Sequence, residues 1–340
     1  MTELAPDAIH KARQRGIWFS ILSIVIILCI ILALRNLNIG KEEIDSILIR
    51  VSWPPLLLSC LAMSLAFFFM GVRWSALLPC KDKPPKIELT ALICAGLLLN
   101  YAAPGPVGEF GAAWFAHKRY KLPFTDTLAA GVAARLIGLI SACFIGTLVW
   151  LIFPLPTTEE YQTLIELMVF TTAAGGLILM ALALRPRQFN SLLERFDTST
   201  TGIKATILNM LRDITRSIEQ LSAMGLPAFA KSAFWSLCAH SSVVTGIILA
   251  AIALNTSYSL EGLIFTYTIT TAAAVLLFAL PGSYLGWDAL FFGLMVNTAA
   301  IPLSDAMAIT IIIRLQQFFF MLLGGISLGW LLQTTEKPPA

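Results

Sequence analysis

The chain has 340 residues, of which 57% are hydrophobic and 13% charged, with a formal net charge of +3 and a mean hydropathy of +0.80. Soluble domains carry about 25% charged residues, so an ordinary soluble fold is excluded, and so small a net charge gives no electrostatic case for a nucleic-acid partner. Apolar runs long enough to cross a hydrocarbon core of about 30 Å place the chain in a membrane.

The first run, Ile17–Leu34, follows Lys11, Arg13 and Arg15. Signal-peptide cores run about 7–15 residues and end at small residues, whereas this run ends at Leu34–Arg35 and reads as an uncleaved span. Further full spans read as Trp53–Trp74, Phe124–Phe153, Gln162–Leu184, Ala228–Leu254 and Ala306–Leu332.

Two other apolar stretches do not read as simple spans. Ile87–Ala103 runs into Pro104-Gly105-Pro106-Val107-Gly108 and then a short apolar piece before His117-Lys118-Arg119. Gly262–Leu280 runs into Pro281-Gly282-Ser283-Tyr284-Leu285-Gly286 and a second short piece before Pro302. Proline removes a donor and glycine permits sharp turns, and irregular backbone at membrane depth survives only when covered by protein or lining a wet cavity. Both stretches read as re-entrant hairpins, with Pro-kinked full spans as the alternative. The fold class expected is therefore an all-α polytopic membrane protein of about six full transmembrane helices plus two re-entrant hairpins.

Basic residues collect on the cytoplasmic side. With the N-terminus inside, Lys81, Lys83, Lys86, Lys118, Arg119, Lys121 and the basic residues of 185–231 fall inside, and only Arg35, Lys41 and Arg50 fall outside. This puts both termini on the cytoplasmic side of an inner membrane of bacterial type. In the segment Arg185–Lys231, Ile203, Ile207, Leu211, Ile214, Ile218 and Leu221 share one helical face opposite Lys204, Arg212 and Arg216, as in an amphipathic surface helix.

A shift of 179 residues lays the chain on itself. Glu109 falls on Asp288, Pro123 on Pro302, Asp126 on Asp305, Ala129 on Ala308 and Arg135-Leu136 on Arg314-Leu315. The copies begin with spans of opposite direction, which gives an inverted-topology repeat, an architecture of secondary transporters with the site near the midplane. The parts are a tail and first helix (1–35), repeat A (53–153), a connecting span with the amphipathic linker (154–231) and inverted repeat B (232–332).

Ionisable groups inside a membrane are costly and mark functional sites. Arg135 and Arg314 fall deep in their spans, and Glu109 and Asp288 are expected to open the short return helices, where the positive helix end favours a carboxylate. Two readings stay open: static salt bridges that lock the hairpins, or an anion site in which a substrate phosphate displaces an internal carboxylate. In the second, Arg135 and Arg314 meet in one polar chamber. Asn100 and Asn297 flank the hairpins, where they can satisfy freed backbone groups. His240 reads as a packing histidine or a proton relay, Asp126 and Asp305 as helix N-caps, and Arg73 as a residue snorkelling to the basic surface. Pro104, Gly105, Gly108, Pro281, Gly282 and Gly286 are the expected hairpin turns.

Cys29, Cys60, Cys80, Cys94, Cys143 and Cys238 lie in or beside apolar runs without a CxxC pair or a histidine cluster, so no metal and no cofactor is expected. The loops hold no Gly-rich nucleotide loop and no nucleophile–base pair, so no catalytic residue and no enzyme activity is expected.

At Pro-Gly-Pro-Val-Gly-Glu (104–109), Lys118-Arg119, Pro123 and Ala134-Arg135-Leu136, the chain resembles the lysylphosphatidylglycerol synthase transmembrane family, and Leu280–Asp288 is similar to that family's second Pro/Gly motif. The resemblance spans about residues 15–332 and implies a flippase-like role: moving a phospholipid, an aminoacylated lipid or a polyprenyl-phosphate-linked headgroup between leaflets. It implies that Glu109 and Arg135 occupy the family's acidic and arginine positions. Three positions that carry charge in the family are here Pro106, Ala112 and Ala134. The chain ends at Ala340 shortly after its last span, so an appended synthase domain is not expected. Membrane lipids are the expected partners, with a separate lipid or glycan synthase as a further one. The alternatives carried are a non-transporting partner or regulator of such a synthase and a membrane-embedded lipid transferase.

Overall fold

The computed structural model describes residues 49–78, 80, 82–102, 107–157, 159–184, 191, 219, 226–277 and 283–335. The expected first span Ile17–Leu34, nearly all of the amphipathic linker, both termini and the turn residues Pro104, Gly105, Pro281 and Gly282 lie outside the described residues.

Among the described residues the fold is all-helical, with nine helices: α1 Trp53–Leu77, α2 Lys86–Ala102, α3 Val107–Tyr120, α4 Phe124–Ile152, α5 Glu159–Leu184, α6 Leu226–Ala253, α7 Leu260–Leu277, α8 Ser283–Thr298 and α9 Leu303–Thr335. Five of them, α1, α4, α5, α6 and α9, are long and apolar enough to cross a membrane, and they coincide with the five full spans read within the described region. Their outer faces carry exposed large apolar side chains such as Leu57, Phe144, Leu151, Phe170, Leu177 and Ile326, as suits helices solvated by lipid rather than water.

Local chemistry sets the helix ends. Pro54 and Pro55 sit in the first turn of α1, where a missing N–H removes no hydrogen bond. At the other end of α1, Lys83 Nζ donates to Ser75 O at 2.7 Å, satisfying a terminal carbonyl. Lys121 (φ 57°) follows α3 and Ala300 (φ 55°) follows α8, so a left-handed residue stands at matching positions of the two copies, two residues before Pro123 and Pro302. Asp126 and Asp305 are not N-caps as expected: each lies inside the first turn of its helix. Asp305 instead accepts from Arg50 Nη2 at 3.1 Å.

At the 179-residue shift α1 falls on α6, α2 on α7, α3 on α8 and α4 on α9, and the packing follows suit. The α1–α6 contact is the most extensive; α2 packs on α9 as α7 packs on α4, and α2 packs on α3 as α7 packs on α8. α1 and α6 run antiparallel, because Ser52 N–H donates to Ala253 O at 2.8 Å near one end and Arg73 Nη1 donates to Ser236 Oγ at 3.2 Å near the other. Midway, buried Ser59 donates to Gly246 O at 2.7 Å and shares a hydrogen bond with buried Gln316 of α9.

The four shorter helices form two antiparallel hairpins. The α2–α3 base is tied by Glu88, which accepts from Arg119 Nε at 3.3 Å and from the Tyr120 hydroxyl. At about 1.5 Å per residue, the 17 residues of α2 and 14 of α3 fall short of the ~30 Å hydrocarbon thickness. The α7–α8 hairpin closes through Thr266 and Thr298, whose hydroxyls bond at 2.9 Å. Buried apolar side chains form one core of Met63, Ile247, Phe291, Met295 and Ile309 and another of Trp74, Leu89, Ala116 and Ala130. The alanines of α4 let the hairpin approach its backbone, as small residues do at helix contacts in membranes.

Candidate functional site

Arg135 follows the first residue of α4 by 11 positions, and Arg314 follows the first residue of α9 by 11, a depth of about 17 Å along each helix. Each arginine bonds the acid of its own copy: Arg135 Nη1 donates to Glu109 Oε1, and Arg314 Nε donates to Asp288 Oδ1 at 2.5 Å. Each pair thus lies within one repeat.

Glu109 is the third residue of α3, where the helix N-terminus supports its charge. Asp288 differs from the expectation. α8 already runs from Ser283, so Asp288 lies beyond its first turn and gains less from the helix end. Gly108 and Gly286 likewise lie inside α3 and α8 rather than in turns.

Asn100 holds the tip of the first hairpin. Its Oδ1 accepts from Gly108 N–H at 2.5 Å and its Nδ2 reaches Glu109 Oε2 at 3.4 Å, so it satisfies a helix-start donor and orients the acid. Close approach requires glycine here: a β-carbon on Gly96 would lie 2.7 Å from Gly108 O, and one on Gly108 would overlap Gly96 O. Asn297 has no equivalent role, since its Nδ2 donates to Gly293 O of its own helix at 2.8 Å.

Arg73 corrects the sequence reading. It does not reach for the basic surface but turns inward, donating from Nη1 to Ser236 Oγ, while its Nε is buried without a hydrogen-bond partner. Gly138, one turn beyond Arg135 on α4, makes the space, because a β-carbon there would overlap the Arg73 guanidinium. His240 lies behind this cluster, 6% exposed, with one ring nitrogen 2.8 Å from Gly138 O and the other 3.0 Å from the Tyr267 hydroxyl. Carbonyl oxygens only accept, so Nε2 carries the proton and Nδ1 of the neutral ring accepts from Tyr267.

A cavity of about 290 Å³ opens among α1–α4, and its polar lining includes Arg73, Asn100, Glu109, Arg135 and, from α7, Thr271. Arg314 is not part of that lining, and the second guanidinium in it is that of Arg73. Ala112 and Ala134, where the resemblance implied charge, line the cavity as small residues.

The two arginines have different neighbours. Where the first has Gly108, Gly138 and Arg73, the shift places Trp287, Gln317 and Ile252. Trp287 lies 4.3 Å below the Arg314 guanidinium, and Gln317 Oε1 accepts from Arg314 Nη1 at 2.7 Å. Arg314 thus packs on Trp287 and Gln317, which the shift aligns with Gly108 and Gly138 of the first copy. No group of three metal-ligating side chains occurs among the described residues.

The family model described as the lysylphosphatidylglycerol synthase TM region matches residues 20–325, nine-tenths of the chain. No curated protein matches it.

Proposed function

We propose that this chain, which belongs to the lysylphosphatidylglycerol synthase TM region family, translocates a lipid between membrane leaflets through the cavity that holds Arg135, Glu109 and Arg73. The observation that carries the proposal is that cavity: two guanidiniums and one carboxylate among helices whose outer faces are apolar. Charged groups at membrane depth cost about 2.5 to 17 kcal/mol by differing estimates, and arginine matches phosphate oxygens as a fork. A lipid headgroup would enter the cavity while its acyl chains stay in lipid. The phosphate would take over Arg135 from Glu109, and no covalent step is needed, which makes the protein a carrier rather than an enzyme.

The two short helix pairs act in this reading as re-entrant hairpins of an inverted repeat in an inner membrane of bacterial type. Antiparallel α1 and α6 and the basic base of the first hairpin, with Lys118, Arg119 and Lys121, support it. Rocking one repeat against the other would expose the cavity to each side in turn.

Reconstitution tests it. Purified chain in liposomes should accelerate exchange of fluorescent phospholipid between leaflets, read as dithionite-quenchable fluorescence, and Arg135→Gln should abolish the gain. Equal exchange in protein-free and wild-type liposomes would refute translocation.

A further inference from the structure

We infer that the cavity selects lipids whose headgroup is a net-anionic phosphate, and that Arg73 is the residue that sets this selectivity. The inference rests on the translocation reading and names its substrate class. Three observations converge on it.

The first is charge. Arg73, Arg135 and Glu109 are the ionisable groups lining the cavity, and Glu109 already accepts from Arg135 and Asn100. Among the described residues the lining thus carries one positive charge in excess, and the carboxylate in it is engaged. An ammonium on a zwitterionic or aminoacylated headgroup would enter a site that already repels it, whereas a phosphate would balance it.

The second is the state of Arg73. Among the described residues no carboxylate lies within ion-pairing distance of it, its hydrogen bond from Nη1 goes to an uncharged hydroxyl, and its Nε is buried with no partner. A buried donor left unmatched costs about 1–3 kcal/mol, more when charged, and a phosphate oxygen is the acceptor that a guanidinium fork fits best. Gly138 keeps the guanidinium in this place, and Arg135 lines the same cavity.

The third is the wall. Met70, Ile93 and Leu97 line the same cavity, apolar surface that suits the glyceryl and proximal acyl part of a lipid and gives nothing to a free anion. The shared chemistry is a phosphate oxygen; the apolar wall assigns it to a lipid.

The full chain in detergent, titrated separately with dioleoylphosphatidic acid, dioleoylphosphatidylcholine, lysyl-phosphatidylglycerol and inorganic phosphate, tests this by native mass spectrometry and by the change in tryptophan fluorescence that is lost in Trp74→Phe, Trp74 lining the cavity. We expect phosphatidic acid to bind about tenfold or more tightly than the zwitterionic and cationic lipids, a difference of about 1.4 kcal/mol. Arg73→Gln should remove that preference and Arg73→Lys should keep part of it. Wild-type protein with no preference would overturn the inference, however the variants fold. Preference unchanged in Arg73→Gln would overturn the role of Arg73 while leaving translocation standing. Inorganic phosphate competing as well as phosphatidic acid would overturn the lipid assignment. Selective binding without leaflet exchange would strike the translocation reading alone.

Discussion

Arg73 on α1 and Gly138 on α4 fit as a guanidinium against an absent side chain: a β-carbon at position 138 would overlap Nη1 of Arg73. Gly138→Ala should displace the arginine and cost about 1–3 kcal/mol, the usual penalty of overpacking, measured as a lowered unfolding temperature in detergent. In an Arg73→Gln background the shorter side chain should relieve most of that cost, a coupling of about 0.5–3 kcal/mol. Equal costs in both backgrounds would show that the two residues do not meet.

The two intramembrane ion pairs should respond differently to loss of their arginine. Arg135 is 37% exposed and Arg314 17%, and only Arg135 lines the cavity. Arg314→Gln leaves Asp288 unpaired among packed side chains and should lower stability by about 1–3 kcal/mol, partly restored by adding Asp288→Asn. Arg135→Gln should lower stability less and abolish leaflet exchange. Thermal unfolding run beside the liposome assay separates them, and the reverse ranking would rule out the assignment of transport to the first copy.

Burial ranks two polar contacts between α9 and the α1 side of the fold. Ser59 and Gln316 are both buried, so Ser59→Ala should leave a glutamine group unsatisfied and cost about 1–3 kcal/mol. Arg50 is 46% exposed where it meets Asp305, so Arg50→Gln should cost at most about 1 kcal/mol, and less as salt is added. Chemical unfolding of both variants at two salt concentrations checks the order.

Sidedness follows from the hairpin bases. In a cysteine-free background, Lys118→Cys, beside the Glu88–Arg119–Tyr120 knot, should react with an impermeant maleimide only from the cytoplasmic side. Ser257→Cys, beside the base of the α7–α8 hairpin, should react only from the opposite side. Labelling of both from one face would eliminate the inverted arrangement.

How far the site was legible depended on how local its signals are. Glu109–Arg135 and Asp288–Arg314 share one spacing along the chain, and within one hairpin-plus-helix unit that spacing leaves few ways to pair, so both bridges form as the repeat suggests. Asn100 could be read too, since a broken helix leaves donors that a nearby amide can satisfy. Arg73 could not. Its direction depends on which face of α1 meets α6 and α4, and the partners that decide it, Ser236 and Gly138, are remote in sequence. The partner of Asp305 was hidden for the same reason, because Arg50 approaches from far away in the sequence.

From sequence alone come the membrane environment, the helical fold and the place of the five helices long and apolar enough to cross a membrane, since hydropathy, proline and glycine act locally. Tertiary packing alone decided which side chains line the first copy's cavity, where Arg73 arrives from α1 beside Arg135 and Glu109. The physical reason is that Gly138 leaves room for the Arg73 guanidinium, a fit between residues remote in sequence. Volume becomes a cavity only when helices distant in sequence close around it.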